Sequence, residues 1–269
     1  LAAYPNGAYI LYAHFYRAQC YYSKQDYAKA GKDYDYIVEQ GRNLFTEEAL
    51  DKGGRVALYI NKDYNKAFNY YRKLYETGSR KDLRLESLRG LVKASYYLKK
   101  SAELDQYATL LVQSDDATPD DIIDAYFFMG MLEYDAKNYN KARQHFQQVS
   151  VRTTNEKGAQ SRFYTAESYF KQNDLETAKD MCFKVINETS TQTYWVVKGY
   201  ILLADIYAAK GEIFQAKATL RSIIDNYKPE DELKKEARDK LTALEKKESS
   251  QSKLKTDADN NSGYLEMEK

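Results

Sequence analysis

Five stretches of the sequence share one pattern and decide the fold. They read KQDYAKA at residues 24–30, NKDYNKA at 61–67, AKNYNKA at 136–142, QNDLETA at 172–178 and KGEIFQA at 210–216. Each has two polar residues, an Asp, Asn or Glu, an apolar residue, two free positions and an Ala. The Ala residues lie 37, 75, 36 and 38 positions apart, and the double interval hides a degenerate copy at 101–111. The sequence therefore predicts six repeats of about 37 residues.

Each copy carries the signals of two helices. The Asp, Asn or Glu of the pattern precedes an apolar residue, where an N-cap side chain can accept a hydrogen bond from the first amides of a helix. Apolar residues then follow the Ala by four and seven positions, which is one stripe of a second helix. These pairs are Tyr34 and Ile37, Tyr71 and Leu74, Phe146 and Val149, Cys182 and Val185, and Leu220 and Ile223. A small residue twelve positions before the Ala marks the packing seam of a first helix. These residues are Ala18, Gly130, Ala166 and Ala204.

Composition agrees with long helices and removes several classes of protein. The chain has 3 Pro and 12 Gly in 269 residues, too few for turn-rich sandwiches or barrels. Lys and Arg number 41 against 40 Asp and Glu, so no basic excess exists to attract nucleic acid or anionic membrane. No apolar run approaches 18 residues, and Cys20 and Cys182 are too few for a disulfide framework.

The pattern predicts thirteen helices. They lie at about 7–24, 26–40, 44–60, 63–77, 82–99, 102–113, 119–136, 138–150, 156–172, 174–188, 193–210, 212–226 and 229–248. Thr118 to Asp121 read as a helix start with a cap rather than as a metal site. We expect a repeat array over residues 1–228, a capping helix over 229–248 with Leu233, Ala237, Leu241 and Leu244 on one stripe, and a polar tail over 249–269.

These repeats resemble the tetratricopeptide repeat, whose signature is a small residue and Tyr in the first helix and Ala, an aromatic and a small or apolar residue in the second. The resemblance covers residues 8–228 and implies an all-α, right-handed superhelical solenoid of about six helix pairs. Two copies depart from it, because Arg55 and Gln106 stand where small residues belong. We expect helices at the junction of the second and third repeats to be spaced more widely.

The sequence lacks the motifs that commonly form catalytic sites. His14 and His145 lie in different repeats, and the sequence contains no HExxH, GxSxG or GxxxxGK motif. Cys182 occupies a position that aromatic or aliphatic residues fill in the other copies, which indicates a buried side chain. We predict neither enzyme activity nor a catalytic, metal or cofactor site.

In the resembled family, first helices line a concave face that holds ligand peptides. Projecting that face onto this chain predicts a groove of aromatic side chains with polar ones along its floor. The predicted partner-binding residues are Phe15, Gln19, Tyr22, Phe127, Met131, Tyr134, Phe163, Glu167, Phe170, Ile201 and Asp205. Alternatively, these rings pack between adjacent helices.

The leading functional hypothesis is a non-catalytic scaffold that binds a peptide or partner protein. The alternative is a binder of single-stranded RNA whose 27 Tyr stack bases, against which the charge balance argues. The Tyr-, Asn- and Lys-rich repeats also look like bacterial envelope or scaffold repeat proteins, but the periplasm and the cytoplasm both stay open. Apolar residues surround the first helix, so we expect further repeats upstream. The tail from Ser249 is expected to be disordered unless Tyr264, Leu265 and Met267 dock on a groove.

Overall fold

The chain is built of consecutive pairs of helices. The structure, a computed structural model, describes the backbone of residues 9–265 and the side chains of residues 9–250. The α-helices of this part are α1 Ile10–Ser23, α2 Tyr27–Glu39, α3 Thr46–Arg55, α4 Tyr64–Thr77, α5 Lys81–Tyr97, α6 Ser101–Val112, α7 Pro119–Asp135, α8 Tyr139–Ser150, α9 Glu156–Lys171, α10 Leu175–Glu188, α11 Thr193–Ala209, α12 Ile213–Asn226 and α13 Glu232–Leu265. The all-α helical-repeat prediction is confirmed.

A division between Gln148 and Val149 separates two compact parts of the chain. In the first part α1 packs on α2, α3 on α4 and α5 on α6, and each second helix also packs on the next first helix. In the second part the pairs α9 with α10 and α11 with α12 follow the same order, and α13 packs on α12. No helix within the described residues is long and apolar enough to cross a bilayer.

The turn inside each repeat has one conformation. A residue with positive φ precedes the N-cap of the second helix in all six repeats, with φ between 53° and 80°. These residues are Gln25, Lys62, Lys99, Lys137, Asn173 and Gly211. In the first repeat the N–H of Asp26 donates to the carbonyl of Tyr21, and its carboxylate accepts from the N–H of Lys29. A single Asp therefore ends one helix with a Schellman-type bond and begins the next as its N-cap.

The second helices bury their predicted stripe. The repeat Ala residues are fully buried, as are Tyr34, Phe146, Cys182 and Val185. The third repeat corrects our alignment, because its positive-φ residue Lys99 places Leu104, not Gln106, at the Ala position. Leu104 is fully buried and Gln106 is exposed. Ala108 follows where other repeats carry a larger side chain, so this helix has exchanged the small and the large residue.

The second repeat contains a π-helical turn at Val56–Ile60. The extra residue of this turn moves Gly54 into the position expected for Arg55, and a Cβ on Gly54 would lie 3.0 Å from Cζ of Tyr71. Arg55 is therefore not in the seam. At the next junction a Cβ on Gly90 would lie 2.3 Å from the Tyr71 ring, so α4 and α5 approach closely there. This contact contradicts the expected wide spacing at that point.

The predicted start of α7 and the predicted C-terminal capping helix are both present in the structure. Thr118 and Asp121 form a reciprocal capping box at the start of α7, with Pro119 in its first turn. In α13, Leu233 and Ala237 are buried against the last repeat, and Leu241 and Leu244 pack partly against it. The backbone of α13 is helical to Leu265, beyond the predicted end at 248, where we expected disorder. The side chains of Tyr264 and Leu265, and Met267 as a whole, lie outside the described residues.

Candidate partner-binding face

Five of the predicted groove residues are buried in the core. Their exposed fractions are 6% for Phe15, 8% for Phe127, 8% for Met131, 4% for Phe163 and 3% for Ile201. A side chain with so little exposed surface has almost none to offer a partner. Packing between helices is therefore the better interpretation for these five side chains, three of which are aromatic rings, and they are withdrawn from the candidate site.

Rings at the start of the following first helix pack against Phe15 and Phe163. Phe15 stacks on Phe45 with ring centroids 4.3 Å apart, and Phe45 directly precedes α3. Phe163 lies 5.5 Å from Trp195, in the first turns of α11. Each ring fills the space between two successive first helices instead of projecting from one of them. Offset and tilted ring pairs of this kind add about 0.5–1.5 kcal/mol beyond their buried area.

The remaining predicted residues are partly exposed, and several already have partners. Gln19 donates to Glu48 at 3.2 Å, and Lys240 donates to Asp205 at 2.8 Å. Tyr22 lies beneath the Lys52 ammonium, which is 5.0 Å from its ring centroid. Tyr134, Glu167 and Phe170 are also half-buried. Partner binding by these six residues stays a prediction.

A row of ion pairs crosses the first helices of the second, third and fourth repeats. We call Asp51, Arg55, Glu86, Arg89 and Asp121 the charged ladder. Arg55 donates to Asp51 at 3.0 Å and to Glu86 at 2.6 Å, joining α3 to α5. Arg89 donates to Glu86 and makes two 2.7 Å bonds to Asp121, joining α5 to α7. Each arginine is shared between two carboxylates, so the ladder fixes the three helices relative to one another.

Burial and pairing act in opposite directions on the ladder. Burial raises the pKa of Asp121, but hydrogen bonds from Arg89 and Thr118 lower it by more than burial raises it. The pKa of Asp121 therefore lies below its ordinary value. Burial lowers the pKa of Arg55, and Asp51 and Glu86 more than reverse this. The hydrogen bond to Asp121 raises the pKa of Arg89. Arg55, Arg89 and Asp121 are therefore charged at neutral pH. By residue type, the ladder has three carboxyl groups and two guanidinium groups.

A small cavity of about 70 Å³ opens beside the ladder. Lys93 donates to the hydroxyl of Tyr59 at 3.2 Å and lies 3.5 Å from Asp124 across the cavity. Tyr59 belongs to the π-helical turn and is 52% exposed. Burial lowers the pKa of Lys93, but Tyr59 and Asp124 more than offset this, so its pKa is raised and the ammonium stays charged. The face thus combines an exposed ring, a cation and carboxylates.

Sequence reasoning missed this face because it lies in the two degenerate repeats. The groove positions of α5 correspond to Arg89, Lys93 and Tyr96, and those of α3 are displaced by the extra π-turn residue. One signal was available, since Arg55 and Arg89 are charged residues at positions that are small or apolar in the regular copies. Charges that interrupt a repeated apolar pattern indicate a surface that serves something other than the core.

The groups considered for catalysis are occupied or buried. His14 bonds Asp33 at 2.7 Å, and the ring of His14 stacks on Tyr36. His145 is half-buried near Tyr126, and burial lowers its pKa. Cys182 is fully buried, as predicted, and burial raises its pKa to about 12.

Residues 200–228, the end of α11 with α12, match the family model of the tetratricopeptide repeat. This segment matches one tetratricopeptide repeat. The matched segment contains Ala204 of the first helix and Ala216 of the second, both buried. The other five repeats have the same positive-φ turn and the same buried Ala or Leu.

The chain shares its fold with one solved structure and is less similar to two others. A tetratricopeptide repeat protein from Parabacteroides merdae is 14% identical, with a TM-score of 0.50 over 85% of this chain and 97% of that chain. The tetratricopeptide repeat domain of P58(IPK) is 14% identical, with a TM-score of 0.39 over 88% and 66%. The TPR2AB domain of yeast Sti1, solved in a pHSP90 complex, is 15% identical, with a TM-score of 0.35 over 88% and 98%. No curated protein matches the chain.

Proposed function

We propose that this tetratricopeptide-repeat chain is a non-catalytic scaffold that binds a segment of a partner protein across α3, α5 and α7. The exposed Tyr59 ring beside the paired Lys93 and the charged ladder carries this proposal. Aromatic and arginine side chains next to a desolvated pocket are the usual anchors of protein interfaces. The cavity of about 70 Å³ is far below the roughly 300–1,000 Å³ of small-molecule sites. It suits one side chain of a longer segment.

The charges indicate what such a segment carries. Arg55, Arg89 and Lys93 each have a carboxylate within ion-pair distance, so no unneutralised basic track crosses this face. A phosphate backbone would find little net attraction, and the RNA alternative gains no support here. A protein segment with both acidic and basic side chains can instead exchange ion pairs with the face, and such complementarity chiefly gives specificity.

Site-specific crosslinking tests the proposal. A photo-crosslinking amino acid at Tyr59 should capture a partner, whereas the same group at Phe214, a 79% exposed residue of α12, should not. Lys93→Glu should abolish capture at Tyr59, because it replaces the positive charge on the cavity wall with a negative one. The control substitution Lys217→Glu should leave capture unchanged. Equal capture at Tyr59 and Phe214, or capture that is insensitive to Lys93→Glu, would refute binding on this face.

A further inference from the structure

A tyrosine recurs at one position near the end of the first helices. The position lies three residues before the positive-φ residue of the turn. In the first four repeats it holds Tyr22, Tyr59, Tyr96 and Tyr134, which we call the tyrosine row. Tyr59 is 52% exposed, and the other three side chains are partly exposed. All four belong to the first part of the chain, so the row is a regular feature of that part.

The tyrosine row lies on the same side of the helices as the charged ladder. Tyr59 lines the small cavity together with Arg55 and Arg89. Tyr96 follows Lys93, which also lines this cavity, by three residues in α5, and residues with this spacing are neighbours on one helix face. The row therefore continues the candidate face toward the turns of the repeats.

Hydrogen-bond donors accompany the first three rings. A lysine ammonium lies between 4.8 and 5.4 Å from the centroid of each ring. These pairs are Lys52 with Tyr22, Lys93 with Tyr59 and Lys99 with Tyr96. An ammonium has three N–H donors and no acceptor. The row thus matches a segment that presents apolar surface and carbonyl oxygens side by side.

The spacing of the row selects the conformation of such a segment. Helix α3 packs on α5 and α5 packs on α7, and packed helices lie about 8–10 Å apart, so equivalent rings repeat at about that distance. A polyproline II segment has three residues per turn and rises about 3.1 Å per residue, so one edge recurs about every 9 Å. One face of a β-strand recurs about every 6.6 Å and that of an α-helix every turn of about 5.4 Å. Polyproline II therefore places successive turns on successive rings.

We propose that the tyrosine row binds a proline-rich segment of the partner in the polyproline II conformation, with every third residue on a ring. This inference specifies the partner of the proposed binding face and rests on that function. The pyrrolidine ring fixes φ before binding, and aromatic-lined grooves recognise such preformed segments. The polyproline II backbone forms no internal hydrogen bonds, so its carbonyl oxygens can accept from the lysine ammonium groups. Residues between the ring-binding positions can carry the charges that meet the ladder.

Fluorescence anisotropy with two labelled decamers and the full chain tests this. Decaproline extends about 28 Å and can reach four rings, whereas a decamer of alternating Gly and Ser is a flexible coil of equal residue number. Decaproline should bind at least about tenfold more tightly. Tyr59→Ser and Tyr96→Ser should each weaken its binding about fivefold, and Tyr59→Phe should not, because the ring remains. The control Tyr194→Ser, which removes a 43% exposed ring in the second part of the chain, should leave binding unchanged.

Equal binding of the two decamers would overturn the proposal. Decaproline binding that is unchanged in both Tyr59→Ser and Tyr96→Ser would also overturn it, as would an equal loss in Tyr194→Ser. Failure of the binding face itself gives a different result. If a photo-crosslinker at Tyr59 captures a partner but decaproline does not bind, the polyproline II inference is wrong and the face stands. If neither occurs, both are wrong.

Discussion

Gly90→Ala should destabilise the protein although it replaces the poorer helix former. The added Cβ would lie 2.3 Å from Cδ2 and Cε2 of Tyr71, whereas carbon atoms in contact prefer about 3.5–4.0 Å. The Tyr71 ring is 2% exposed and also packs closely against Gly54, so it has little room to move by the required distance of more than about 1 Å. Overpacking a core destabilises a protein by about 1–3 kcal/mol, and the upper end of this range applies to so short a contact. The higher helix propensity of Ala offsets about 1 kcal/mol of this loss. The expected net loss is about 2 kcal/mol.

Gly31→Ala is the matched control. Gly31 is also buried inside a helix, but its added Cβ would meet only a methyl group of Val56 at 3.4 Å, an ordinary contact. It should stabilise by up to about 1 kcal/mol. Thermal melting by circular dichroism should show a Tm about 4–8 °C lower for Gly90→Ala, at about 2–4 °C per kcal/mol. Adding Tyr71→Leu to Gly90→Ala should cost less than the sum of the single changes. A Tm at or above that of the parent for Gly90→Ala would refute the steric reasoning.

Three further outcomes follow from the structure. Lys62→Gly should raise the free energy of unfolding by about 1 kcal/mol, because Lys62 has φ 53°, and Gly211→Ala at φ 80° should lower it by a similar amount in urea titrations. Thr118→Ala should lower it by about 1 kcal/mol through loss of the capping box, and no change in the urea midpoint would contradict this role. In a thiol assay Cys20 should react in the native protein and Cys182 only after unfolding, since burial raises the pKa of Cys182 to about 12. Immediate reaction of both thiols would be inconsistent with the fold.

Local signals sufficed to predict the helices and their turns. Asp26, Asp63 and Asp174 each act within one turn of their own helix and accept the expected backbone bond, whereas Glu212 makes no side-chain cap bond. The third copy has Lys100 at the N-cap and no side-chain cap bond. Without a cap to align, its register was read two residues late, which assigned Gln106 instead of Leu104 to the buried position.

Contacts between repeats could not be predicted in the same way. Periodicity assigns Phe15 to a helix face, but its burial depends on Phe45, 30 residues later in the chain. Phe163 depends in the same manner on Trp195. The π-helical turn adds one residue to α3, but the length of the repeat does not change. Counting along the sequence therefore placed Arg55 in the packing seam, and its ion pairs could not be predicted. The departures from the pattern in the second and third repeats predicted poor packing. In the structure, several of the residues that depart from it form the charged ladder instead.

The exchanged residues Leu104 and Ala108 give the first part of the chain a marker against misassembly. Helix pairs that are all alike can stack after skipping a neighbour, and such swapped arrangements trap repeat proteins during refolding. A helix with its large and small side chains exchanged fits only first helices of complementary shape. If α6 met another first helix, Leu104 would collide where Ala is expected, and Ala108 would leave a void. Irregularity in one repeat thereby specifies the order of its neighbours.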